Sequence, residues 1–382
     1  MTSNHLFILL ALILPNLSFS QMPVWNQRCA LHPDLIHSSG ITSINGGKSF
    51  WSMEDNNSPA ELFEIDADCR ILRRLFIQGV SKRDWEDISS DDEGNLYIGD
   101  FGNNSNNRKD LRIYIVKNPE LTSSDTVGAE VISFTYVRQT AFPPPTSQLH
   151  YDMEAMVWFD DSLHLFSKNR TEPFDGMTYH YKLPAEPGQY ALEPADSFKT
   201  GPGPMLFYWI TGAAINRDAG QLMLLSHDRI WKFSDFEGAD FFSGTVQEIQ
   251  LPTYTQKEGI CHATANRWFL TDEYQSLIRL GGNLYEMELP VLGQYEPDRE
   301  VEFKIVPNPV REAMQFILPS ASLYAPIEFS LCDWMGHEVF QFSIDQLRNS
   351  VLLPDLANGI YFVKSRSNQF RKYFSSRIIV IK

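Results

Sequence analysis

The chain has 382 residues, of which 43% are hydrophobic, 13% aromatic and 21% charged, a balance that excludes extended disorder and allows two or three folded domains. Its net charge of −16 is uneven: the residues before Val301 carry 23 basic and 41 acidic groups, whereas Val301–Lys382 carry nine basic and seven acidic. An acidic body repels phosphate backbones, so nucleic acid is excluded as a partner, and cations or a cationic surface suit it better.

Residues 1–20 read as a secretory signal peptide. An apolar run, Leu6–Leu14, is followed by Pro15 and by Ser18-Phe19-Ser20 ahead of Gln21, which puts small residues where a signal peptidase cuts. No Lys or Arg precedes the run, and a buried N-terminal helix is the competing reading. The run is too short to span a bilayer, and no later segment reaches the ~18 apolar residues needed. Cys29, Cys69, Cys261 and Cys332 show no CxxC or His pairing, which argues against zinc. In an exported chain cysteines can oxidise, and Cys29 and Cys69 become plausible partners if the ring inferred next is right.

Residues 22–292 carry a weak internal repeat, in which a short segment ending in Ile or Met opens each unit: Ser39-Gly40-Ile41, Glu86-Asp87-Ile88, Glu154-Ala155-Met156, Ala213-Ala214-Ile215 and Glu258-Gly259-Ile260. A turn follows each, then an apolar or aromatic run ending in polar residues, as in Leu96-Tyr97-Ile98-Gly99-Asp100 and Trp268-Phe269-Leu270-Thr271-Asp272-Glu273. A third run usually comes next, such as Ile230-Trp231-Lys232-Phe233. Short β-branched or aromatic runs bounded by Asn, Asp, Gly and Pro read as antiparallel strands. Units of about 45–70 residues built this way predict an all-β fold, a β-propeller of five blades with six as the alternative. The last unit is short, so the segment Trp25–Leu31 is expected to supply its missing strand. An irregular β-sandwich is the competing architecture.

The stretches Asp84-Trp85-Glu86-Asp87-Ile88, Asn95–Asn104 and Arg108–Tyr114, with Asp152-Met153-Glu154-Ala155-Met156 and Thr271-Asp272-Glu273, resemble secreted bacterial propellers of the phytase-like and SdiA-regulated-like kind. The resemblance covers roughly Trp25–Leu289 and implies the fold more than any chemistry.

In such a ring the starts of first strands and the ends of second strands share one rim. First-strand starts bring Asp84, Glu86, Asp152, Glu154 and Glu258 there, and second-strand ends bring Glu54, Asp55, Asp100, Asn103, Asn104, Asp272 and Glu273. Side-chain alternation points Asp84 with Glu86, and Asp152 with Glu154, to one side. Carboxylates crowded at one depth must take up protons, pair with bases or share a hard cation. The candidate metal ligands are therefore Asp84, Glu86, Asp152, Glu154, Glu258, Asp100 and Asp272, with Ca²⁺ as the candidate ion. The competing reading is a ring of ion pairs with Arg83, Lys168, Arg170 and Lys257. No catalytic residue is assigned, and neither a GxSxG nor an HExxH motif occurs. Gly46-Gly47-Lys48-Ser49 lacks the first Gly of a phosphate loop and reads as a hairpin turn.

A polar linker at residues 293–300 leads to a second strand-rich unit, residues 301–382, of a size that suits a small Ig-like sandwich. Pro307-Asn308-Pro309 opens it, Asp333–Val339 supplies a turn around Gly336, and Leu356-Ala357-Asn358-Gly359-Ile360-Tyr361 comes late. The chain ends on Arg377-Ile378-Ile379-Val380-Ile381-Lys382. These motifs, in this order, resemble the type IX secretion C-terminal sorting domain, which implies the outer-membrane translocon as a partner and a secreted or surface-attached product. The expected function is that of an exported binding propeller whose rim holds a cation or an unknown ligand. The alternative is a metal-assisted, phytase-like ester hydrolase, in which Arg108, Lys168 and Arg170 would grip the phosphate.

Overall fold

The computed structural model describes residues 23–55, 58–264, 266–289, 304–317, 327–333, 335, 337–344, 349–365 and 375–381. The expected signal peptide, the linker, Gly336 and Lys382 lie outside these residues. Met22–Val291 form one compact unit, and Leu292–Lys382 belong to a second.

The first unit opens with β1 (Val24–Ala30). Then come β2 (Ser38–Thr42), β3 (Phe50–Glu54), β4 (Glu61–Ile65) and β5 (Ile71–Gln78), followed by β6 (Trp85–Ser90), β7 (Leu96–Asp100), β8 (Leu111–Val116), β9 (Thr126–Gly128) and β10 (Glu130–Tyr136). Next are β11 (Asp152–Phe159), β12 (Ser162–Lys168), β13 (Met177–Pro184), β14 (Gly188–Leu192) and β15 (Pro194–Lys199). A single helical turn, α1 (Met205–Tyr208), precedes β16 (Gly212–Asn216), β17 (Gln221–Leu225), β18 (Arg229–Ser234) and β19 (Thr245–Gln250). The unit closes with β20 (Lys257–His262), β21 (Arg267–Asp272) and β22 (Asn283–Glu288).

These strands make five sheets, ordered β2-β3-β4-β5-β9, β6-β7-β8-β10-β14, β11-β12-β13-β15, β16-β17-β18-β19 and β20-β21-β22-β1. The first strands β2, β6, β11, β16 and β20 touch one another in that order, and β20 returns to β2, so the sheets close a ring as propeller blades do. Burial grades outward. Every residue of β2 and β16 is buried, whereas β5 near the outside alternates half-buried or buried positions with exposed ones, as a half-solvated strand should. Gly212 permits close approach of two first strands, since a Cβ there would lie 2.4 Å from the Glu258 carbonyl oxygen. Between blades, Asp87 accepts hydrogen bonds from the backbone N–H of Ile88 (2.8 Å) and of Met156 on the next first strand (2.7 Å).

Outer edges are covered by borrowed strands: β9 pairs in parallel with β5, and β14 in parallel with β10. The strand expected near Trp25–Leu31 is β1, which pairs antiparallel with β22 and completes the last sheet. A disulfide joins Cys29 on β1 to Cys69 in the β4–β5 turn, linking the last blade to the first. Gly46 and Gly47, at φ 70° and 78°, sit in the β2–β3 turn, as a hairpin rather than a phosphate loop requires.

The second unit holds two sheets, one of β23 (Lys304–Val306), β24 (Ala313–Ile317) and β27 (Ser350–Leu352). The other is ordered β26-β25-β28-β29, from β25 (Ile327–Cys332), β26 (Glu338–Ile344), β28 (Gly359–Ser365) and β29 (Ser375–Val380). Met314 and Phe316 of the first sheet bury against Phe329, Leu331, Val363 and Ile378 of the second, which is the core of a small sandwich.

Candidate functional site

The register of β2, β6, β11 and β20 against their second strands shifts at the same place in each blade, at Ser39, Glu86, Glu154 and Glu258. A bulge adds an unpaired residue and re-aims its side chain, here toward the ring centre. In the fourth blade Thr211 holds the equivalent place: its hydroxyl donates to the Lys257 carbonyl (2.6 Å), as Ser39 donates to that of Trp85 (2.7 Å). The fourth repeat landmark is therefore Thr211-Gly212-Ala213, two residues earlier than the sequence pattern suggested. Around the ring, five equivalent positions carry three carboxylates and two hydroxyls.

The three glutamates meet on the floor of a pocket of about 430 Å³ at the starts of the first strands. One carboxylate oxygen from each of Glu86, Glu154 and Glu258 lies within 4.8 Å of the other two. Asp55 and Asp84 extend the cluster, each placing an oxygen within the same distance of Glu86. Gly102 makes room for them, because a Cβ there would fall 2.2 Å from Glu86 Oε1. Lys168 Nζ sits 3.0 Å from Glu154 Oε1 and Arg170 Nη2 3.5 Å from it, and both cations cover the Trp209 ring at 4.7 and 5.2 Å. Among the described residues, Glu154 Oε2 and Glu258 Oε1 are buried without a hydrogen-bond partner.

Burial and the neighbouring Glu154 hold the Glu86 carboxyl well above the usual range. Burial, then Asp84, lifts Asp55 to about 7, and burial with Glu258 lifts Glu273 to about 9. Burial alone would raise Glu258 as well, but Lys168, His227 and Gln256 outweigh it and leave its carboxyl low. Lys168 is held protonated, because Glu154 and Glu258 overcome the cost of its burial.

Of the other expected rim residues, Asn104, Asp55 and Glu273 line the pocket, and Asp84 lies beside it on Glu86. Four of the expected metal and phosphate ligands are used elsewhere. Asp152 accepts from the Asn103 N–H (2.7 Å) and pairs with Arg170. Asp100 accepts from the N–H groups of Arg83 and Asp84 (both 3.1 Å) and pairs with Arg108 at 2.9 Å. Arg108 is spent on that pair and on the Gly102 carbonyl (2.8 Å). Asp272 accepts from the Asn283 N–H and the Tyr285 hydroxyl, both at 2.7 Å. Of the four bases in the expected ion-pair ring, Lys168 and Arg170 reach the pocket. Arg83 pairs with Asp110, and Lys257 turns to the Thr253 carbonyl.

The pocket also contains residues the sequence pattern did not single out: Trp209, His227, Tyr254 and Gln256. His227 Nε2 stands 3.7 Å from Glu258 Oε1 and receives the Trp209 indole N–H at 3.3 Å. His262 lies at the other end of the channel, lining a cavity of about 250 Å³.

In the second unit, the Asn308 side chain accepts from the Ile379 N–H (2.9 Å), while Val310 bridges Val380 in parallel. Pro307 and Pro309 flank that contact, so the opening motif docks onto the final strand. Gly359 starts β28, and the Tyr361 hydroxyl donates to the Ala357 carbonyl at 3.0 Å, closing the late turn. This stretch matches the family described as the secretion system C-terminal sorting domain over residues 304–381. Residues 304–381 are a type IX sorting domain. The chain is thus an export substrate of the type IX machinery, with which its sorting domain interacts.

A search of curated proteins finds no match. Among solved structures, the chain is similar to the PQQ-bound form of an aldose sugar dehydrogenase from Streptomyces coelicolor, at 13% identity and a TM-score of 0.40, over 71% of this chain and 99% of that one. It is also similar to a gluconolactonase from Xanthomonas campestris (14% identity, TM-score 0.37, 67% and 73% coverage). PorZ, a surface component of the type-IX secretion system of Porphyromonas gingivalis, aligns over 90% of this chain and 52% of its own, with 13% identity and a TM-score of 0.33. At these scores no activity passes from them to this chain. The propeller itself follows from the ring of sheets described above.

Proposed function

We propose that this protein is an exported binding propeller, released or displayed at the cell surface, whose pocket holds a divalent cation, Ca²⁺ before others. The observation that carries this reading is the meeting of Glu86, Glu154 and Glu258 within 4.8 Å, with two buried carboxylate oxygens that accept no hydrogen bond among the described residues. An all-oxygen donor set without thiolate or imidazole suits a hard cation. Three protein carboxylates leave further positions of a Ca²⁺ sphere to water or to a ligand. The binding reading takes precedence over the hydrolase alternative because Arg108, Lys168 and Arg170 are all engaged by carboxylates rather than open to a phosphate.

Melting the protein in Ca²⁺ and in chelator tests this directly. An ion bound only by the native state adds about 2.7 kcal/mol at a hundred times its Kd, so the melting temperature should rise with Ca²⁺. Glu86→Gln and Glu154→Gln should each abolish the rise. An unchanged melting temperature in wild type removes the cation from the site.

A further inference from the structure

We propose that the pocket's ligand is an organic cation with an apolar body, a primary ammonium on an alkyl chain, whose head reaches the acidic floor while its chain lies on an apolar collar. This rests on the reading of the pocket as a cation site and adds the class of molecule that enters it. The lining has two unlike halves. First-strand starts and second-strand ends of every blade but the fourth contribute the charged groups of the floor, Asp55, Glu86, Glu154, Lys168, Arg170, Glu258 and Glu273, whereas loops of blades four and five contribute Leu206, Tyr254, Ile278 and Leu280 at the mouth.

Those four collar side chains are 49%, 45%, 68% and 45% exposed, a cluster of apolar groups in water at the mouth of a polar cavity. The collar is built rather than loose. Tyr254 packs on Phe207 with ring centroids 5.2 Å apart, and the Gln275–Leu280 bridge, with Gln275 N–H donating to the Leu280 carbonyl at 2.7 Å, folds the loop that carries Ile278. Gln275 also donates to Gln256 (2.5 Å), and Gln256 donates to Glu273, which ties the apolar loop to the acids.

On the floor, five lining carboxylates face two lining cations. An ammonium carries three donors and no acceptor, which matches the unpartnered Glu154 Oε2 and Glu258 Oε1. The Trp209 face is already taken by Lys168 and Arg170, so the incoming head has the carboxylates as its partners. A bare metal ion would satisfy the same oxygens but would leave the collar unused. A molecule with both parts uses both halves.

Calorimetric titration of the full chain at pH 7.5 with n-hexylamine, 1-hexanol and ammonium chloride tests the pairing of halves. Hexylamine should bind at least about tenfold more tightly than either of the others, and Ca²⁺ should compete with it. The double variant Ile278→Ser/Leu280→Ser, at exposed positions, should weaken hexylamine about tenfold and leave the melting temperature and its response to Ca²⁺ unchanged. Glu258→Gln should weaken both ligands. Hexylamine no tighter than ammonium, or indifferent to the collar variant, overturns the proposal even where Ca²⁺ binds. Hexylamine binding that depends on the collar upholds it even where Ca²⁺ gives no response, which would remove the metal reading alone. A lysine-containing peptide that outbinds hexylamine assigns the ammonium to a polypeptide side chain, and the reverse order assigns it to a free amine; either order supports the proposal.

Discussion

Lys168→Met is expected to cost about 3–5 kcal/mol in chelator, the penalty of leaving buried carboxylates without their cation, and Ca²⁺ should recover most of it. Lys168 is buried, with its Nζ 3.0 Å from Glu154 Oε1, and Arg170 at 3.5 Å is the other cation on that carboxylate. With the ammonium gone, the floor keeps Glu86, Glu154 and Glu258 within 4.8 Å of one another, and a divalent ion can take the vacated place. Ca²⁺ affinity should therefore be higher in the variant than in wild type. A loss that Ca²⁺ does not recover would make Lys168 one member of a structural ion-pair ring. The pH dependence follows from the same crowding. Asp55 titrates at about 7 and Glu273 at about 9 in the folded protein, against about 4 in an unfolded chain, and Glu86 is raised too. The native state thus binds more protons than the unfolded state between pH 6.5 and 8, and stability in chelator should fall as pH rises across that window, by about 1.4 kcal/mol per unit for each extra proton. Below it, buried His164 and His180, lowered to about 4 and about 3, favour the native state as pH rises; above it, Lys82 and Lys257, both lowered to about 8, do the same. Saturating Ca²⁺ replaces the carboxyl protons and should flatten the fall, which urea midpoints at pH 6.5, 7.2 and 8 would show.

The convergence of Glu86, Glu154 and Glu258 was legible because each stands two residues before an Ile or Met of its first strand, and a closed ring brings equivalent positions together. What the sequence could not carry was the partner each acid takes. Strict alternation aims Asp152 with Glu154, but Asp152 is taken up by the Asn103 N–H and by Arg170, which also reaches Glu154, so it adds no ligand to the floor. Asp100 and Asp272 were rightly placed at second-strand ends, yet a carboxylate there also faces the backbone N–H groups of neighbouring turns, and those claim it. His227 follows the second strand of the fourth blade, and aligning that blade on Thr211 rather than Ala213 would have drawn it into the rim. Trp209 and Tyr254 enter from connecting loops, where no period exists to read. The sorting unit was more legible because its Pro and Gly residues fix turns locally, although the capping of the last strand by Asn308 shows only in three dimensions.

Trp25→Ala should destabilise the propeller by about 3–5 kcal/mol although Trp25 lies outside the pocket. The last blade is assembled from both ends of the unit: β20, β21 and β22 are its final strands, and β1 is its first. The ring is thus held shut by the pairing of β1 with β22, from Val24 opposite Glu288 to Ala30 opposite Asn283. Within that seam Trp25 is 5% exposed and stacks on Tyr285 with centroids 4.9 Å apart, while Arg28 pairs with Glu286 at 3.1 Å on the wetter face. Losing the indole removes its burial and leaves a cavity over Tyr285, whose hydroxyl braces Asp272. The disulfide from Cys29 to Cys69 spans 40 residues and holds β1 to the first blade, so Cys29→Ser/Cys69→Ser should cost about 4 kcal/mol by chain entropy. Both changes act on one strand, and their sum should fall short of additivity, since a β1 already detached by one has less to lose through the other. Urea unfolding of the single, double and combined variants measures this. Full additivity would mean that the indole and the disulfide stabilise separate parts of the fold, and a neutral Trp25→Ala would mean that the ring stays closed without β1.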